Sequence, residues 1–72
     1  MQWKLERLAE AEQHLAQGAV RIERQRRLIA ELHRDGRDTT RAEDLLKTFL
    51  EIQSMHERDR DRLRAMLMKR GA

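Results

Sequence analysis

Leu8, Leu15, Ile22 and Ile29 recur every seven residues, with Ala11, Gly18, Gln25 and Leu32 at the companion spacing. A seam of this kind, held over about four repeats, commits the segment to one long helix that supercoils against a neighbour. Leu5, Ala19 and Leu28 widen it into the broader stripe of a helix that touches more than one partner. The spacing predicts a helix from Gln2 to Arg34.

The pattern then breaks. Residues 35–39 (Asp35, Gly36, Arg37, Asp38, Thr39) combine a glycine suited to positive φ with turn-forming aspartates. Thr40 and Glu43 follow with the spacing of a capping box, in which a hydroxyl and a carboxylate satisfy backbone N–H groups reciprocally. Ala42, Leu45, Leu46, Phe49 and Ile52 open a second helical stripe, which resumes at Leu63, Met66 and Leu67. A second helix is expected over 40–68. So short a connection forces the helices antiparallel. The chain reads as one all-α domain over residues 1–72, an antiparallel helical hairpin. Pairing about Gly36 sets Ile29 against Leu45, Ile22 against Ile52 and Leu8 against Met66. The same pairing puts Gly18 opposite Met55 and His56, and His14 level with Asp59.

A chain of 72 residues without cysteine has a limited core and no covalent staple. Charged residues make up 40% and hydrophobic residues 39%, with no proline. That balance, with helical periodicity, fits long exposed helices and argues against a disordered tail. A lone hairpin leaves half of its stripe in water: Leu28, Leu32, Leu46, Phe49 and Leu50 form a patch too large for a comfortable monomer. Two-fold self-association into a four-helix bundle removes it. A homodimer is expected, with Leu15, Ile22, Ile29, Leu45, Phe49 and Ile52 in the core and dimer contacts. No segment has the apolar core of a signal peptide or the length of a membrane span, so a cytoplasmic location without a membrane partner is expected.

His56 and Asp59 fall where the second stripe should continue. A polar pair inside an apolar seam either fixes register and partner choice or forms a site. Gly18, a poor helix residue, is read as making room for the His56 imidazole. Under the site reading, His14, His56 and Asp59 offer nitrogen and oxygen ligands for zinc, iron or manganese. The Glu-x-x-His signature of di-iron bundles is absent, since Ala11, Ala30 and Gln53 stand three residues before the histidines. Under the register reading no cofactor is expected. Catalysis is not expected either, because the nearest nucleophile at this level, Ser54, faces outward. His33 suits the negative end of the first helix dipole. Trp3 is expected to cover the bundle end beside Met66 and Met68. Between Glu57 and Arg62 the charges alternate so that Glu57 can pair with Arg60 and Asp59 with Arg62, only Asp59 and Arg60 turning inward.

The formal net charge of +3 is concentrated between Arg21 and Arg41. Arg24, Arg27, Arg34 and Arg37 are the residues a nucleic acid would use.

Gly18, Ile22, Gln25, Ile29 and Leu32, then Gly36, Asp38 and Thr39, then Ala42, Leu45, Leu46, Phe49, Gln53, His56, Arg60 and Leu63 resemble a bacterial family of short helical-hairpin proteins. The resemblance implies a hairpin fold and carries no assigned activity, substrate or cofactor. In shape the chain is also similar to the Rop type of plasmid RNA-binding hairpin dimer, without a residue-level match, so RNA binding enters by analogy of fold. The function expected from the residues is a small non-catalytic interaction or regulatory protein, acting on a protein partner as a dimeric helical bundle.

Overall fold

The computed structural model describes the backbone of residues 2–71 and the side chains of residues 3–69. Two helices, α1 (Gln2–Arg34) and α2 (Thr40–Gly71), pack antiparallel into a rod of 56 × 15 × 14 Å. α1 has the expected bounds. α2 runs about one turn past Met68, because Lys69 and Arg70 are good helix formers and nothing stops the helix before Gly71.

The hairpin bend is built from a helix C-cap. Gly36 takes a φ of 71°, the left-handed conformation that costs an L side chain roughly 1–2 kcal/mol. Its N–H donates to the His33 carbonyl at 3.1 Å, and the Arg37 N–H donates to the Leu32 carbonyl at 2.8 Å. Together these two bonds form a Schellman motif, which satisfies carbonyls that the end of α1 would otherwise leave open.

The start of α2 differs from the expected capping box. The Thr39 carbonyl accepts the first helical bond, from the Glu43 N–H at 2.9 Å, so Thr39 and not Thr40 is the N-cap. Capping passes to Asp38. Its Oδ1 accepts from the Thr40 N–H at 3.0 Å and from the Thr40 hydroxyl at 2.7 Å. Thr40 thus spends its hydroxyl on the turn rather than on Glu43.

The seam of α1 is the heptad series read from the sequence. Ala11, Leu15 and Gln25 are buried, and Leu8, Gly18, Ile22, Ile29 and Leu32 are half-buried. On α2 the seam runs through Ala42, Leu46, Phe49, Gln53, His56, Arg60, Leu63 and Leu67. Leu15, Ile22, Ile29 and Phe49 therefore sit in the hairpin seam as expected. Leu45 and Ile52 do not: they are 45% and 41% exposed, on a stripe one position round the helix. A Gln, not an Ile, continues the seven-residue series after Leu46, and apolar character alone misassigned that turn.

The Asp38 carboxyl titrates below its usual 3.8, chiefly because the Thr40 N–H bonds its ionised form, with the Thr40 hydroxyl adding to this. A carboxylate with a lowered folded pKa stabilises the fold at higher pH and loses that contribution as pH falls through the folded value. The melting temperature of Asp38→Ala should lie below that of the parent at neutral pH, and the gap should close below pH 3.8. Circular dichroism melts across this range check it.

Candidate functional site

The polar residues of the seam form a series of cross-helix contacts. Nearest the turn, the buried Gln25 donates from Nε2 to the Ala42 carbonyl at 2.8 Å. Toward the middle, Gln53 donates from Nε2 to the Leu15 carbonyl at 2.9 Å. Its carboxamide lies over Gly18, where a Cβ would overlap it, with the carboxamide carbon only 2.9 Å from the Cβ position. The space at Gly18 is thus occupied by Gln53, not by the His56 imidazole. Each glutamine bonds a backbone carbonyl of the opposite helix, so each contributes to holding the helices in one register.

Beyond Gln53, the rings of His14 and His56 stack with centroids 5.2 Å apart and planes inclined by 16°. The partner expected for His14 at this level was Asp59. His14 meets His56 and Gly18 meets Gln53, whereas Glu12 meets Arg64, so the cross-helix contacts fall on both sides of the pairing centred on Gly36. His14 is exposed, and His56 and Asp59 are half-buried. Asp59 and His56 border a shallow depression with Ile52, Met55, Arg58 and Arg62. Imidazole lone pairs lie in the ring plane, so two nearly parallel stacked rings do not aim at one ion. Among the described residues, no three His, Cys, Asp or Glu side chains gather at metal-binding spacing.

The expected charge ladder on α2 is also rearranged. Arg60 reaches Asp61 with Nε and Nη2, both at 3.0 Å, instead of pairing with Glu57. Across the helices, Arg64 meets Glu12 at 3.1 Å, an exposed pair of the kind worth about 0–1 kcal/mol. Sequence reasoning also missed the guanidinium of Arg21, which lies 5.6 Å from the centroid of Phe49 and partly covers its exposed side. Only knowledge of the register would have found it.

Arg24, Arg27, Arg34 and Arg37 are all exposed. Arg27 makes a loose pair with Glu23 at 3.6 Å, and Arg24 borders shallow depressions beside Val20 and Arg21. His33 and Arg34 occupy the last turn of α1, where cations favour the helix dipole. Trp3 is 54% exposed, with the Lys4 ammonium 5.6 Å from its ring, and Met68 is exposed too. Neither closes an end of the hairpin. Among the described residues, no buried side-chain nitrogen or oxygen lacks a hydrogen-bond partner.

No family model, curated protein or solved structure matches the chain. None of its helices is long and apolar enough to cross a membrane, among the described residues.

The glutamine over Gly18 makes a specific prediction. In a Gln53→Ala background, Gly18→Ala should stabilise the protein by about 1 kcal/mol through helix propensity. In the parent, the new methyl displaces the carboxamide, and that gain should be absent or reversed. Equal effects in both backgrounds, measured by urea unfolding, would show that Gln53 does not hold that space.

Proposed function

We propose that the chain is a non-catalytic interaction protein that works as a homodimeric helical bundle. The observation that carries this reading is its surface. The chain exposes 5932 Å², whereas a compact monomer of 8.7 kDa exposes about 4,700 Å². The surplus of roughly 1,200 Å² exceeds the approximately 800 Å² that each partner loses in a standard interface. Part of that surface is apolar: Leu28, Leu45, Ile52 and Met55 are all more than two-fifths exposed. Inside the hairpin, the buried apolar residues are Ala11, Leu15, Ala42 and Leu63 alone among the described residues, a small core for a chain without a staple. The seam's glutamines are committed to backbone carbonyls, and the surface depressions are shallow, which supports binding between surfaces over chemistry in a pocket.

Light scattering at micromolar concentration should return twice the 8.7 kDa chain mass. A mass of one chain across that range would overturn the reading.

A second reading rests on Arg24, Arg27, Arg34 and Arg37, which run along the outer side of α1 toward the turn and are all open to solvent. If they bind nucleic acid, the affinity for a short RNA duplex should fall steeply with salt. Binding that ignores salt would remove this option.

A further inference from the structure

The seam has two flanks, and they differ. One carries the Glu12–Arg64 pair, Ala19 and Leu50. The other carries Arg7, His14, Arg21 and Leu28 at seven-residue spacing on α1, and Leu45, Ile52, Asp59 and Met66 at the same spacing on α2. The His14–His56 stack and the Arg21–Phe49 contact belong to this second flank. Met55 and Arg62 extend it on α2, and Glu10 extends it on α1.

This flank is polarised along the rod. Its half nearer the turn presents Leu28, Leu45, Ile52 and Met55, exposed by 42%, 45%, 41% and 64%, with the exposed Arg21 among them. Its half nearer the chain ends presents Glu10, His14, Asp59 and Arg62. Both helices carry both signs on this flank, with Arg7, Glu10 and Arg21 on α1 and Asp59 and Arg62 on α2.

We propose that a second copy of the chain seats on this flank with both Gly36 turns at the same end, related by a two-fold axis parallel to the rod. The inference rests on the dimer reading above and adds its face and its direction. In this arrangement α1 of each copy lies over α2 of the other. Leu28 then meets Leu45 and Ile52 of the second copy, while Glu10 and His14 meet its Arg62 and Asp59. Leu28 is covered by apolar surface, Glu10 and His14 face Arg62 and Asp59, and Arg7 and Arg21 lay their alkyl stems along Met66 and Ile52 of the second copy. A two-fold axis across the rod does the reverse. It sets Leu28 over the Arg7 and Glu10 region of the second copy and Leu45 over its Asp59 and Arg62, so that charges are desolvated without partners. The surplus area of one chain is enough to supply its side of a standard interface.

The chain has no cysteine, so one spin label can be placed in the exposed turn through Arg37→Cys. Light scattering on the labelled, full-length protein comes first. A monomer overturns both this proposal and the dimer reading. In a dimer, pulsed dipolar spectroscopy should give a label separation on the order of the bundle width, roughly 20–30 Å including the label arms. A separation near the 56 Å length of the rod overturns the same-end arrangement and leaves the dimer reading standing. The face is tested by Ile52→Glu and Leu50→Glu. The first should weaken dimerisation roughly tenfold or more, and the second should leave it within about twofold. A dimer that survives Ile52→Glu, or is lost equally in both variants, overturns the assignment of this flank. The label separation decides the direction even if Ile52→Glu fails to fold.

Discussion

The closeness of the two helices at Gly18 governs the rest of the hairpin. A glycine there lets the Gln53 carboxamide reach the backbone of α1 and bond the Leu15 carbonyl. That contact is accompanied by the neighbouring ones along α2. His56 comes over His14, Arg21 comes over Phe49, and Ile52 is turned out of the seam. Hydrophobic contact alone would tolerate sliding by a heptad, because Leu, Ile and Ala are interchangeable along such a seam. A carboxamide that must find one particular carbonyl does not tolerate it. Gln25, bonded to Ala42 near the turn, repeats the device. Two polar contacts separated along the rod fix both the offset and the sense of pairing.

The fold was largely legible in the sequence, and the register was not. The heptad of α1, the glycine at the bend and the length of the turn each act through local backbone geometry, and each is visible within a few residues. The pairing between helices depends on how the bend takes up its five residues. The N-cap shifted from Thr40 to Thr39, because Asp38 satisfied the Thr40 N–H first. That shift cannot be read from the spacing of Thr40 and Glu43. Farther along α2 the polar layer contains a stack of His14 on His56. Ile52 shows the other limit. Its apolar character suggested the seam, while the seven-residue count assigned that turn to Gln53, and the count was the better guide.

The candidate site changes in kind as a result. His14 and His56 stack across the helices, with Asp59 one turn along α2, while Gln25 and Gln53 bond backbone carbonyls of the opposite helix. A glutamine in each half of the seam hydrogen-bonds the backbone of the opposite helix, a contact that its polarity alone did not announce. The apolar residues displaced from the seam are the ones that mark the outer face. Leu45 and Ile52 lie outside the hairpin seam, on its exposed flank.

No large side chain of the hairpin is fully buried, among the described residues. A fold of this kind holds little stability in reserve, and whatever covers its flank behaves thermodynamically as a ligand of the folded state. The folding equilibrium then moves with the amount of cover present, by mass action. A dilute chain spends more of its time open, and a concentrated or partnered one less. For a chain so lightly buried, a bound partner would lengthen the proteolytic lifetime in proportion to its occupancy.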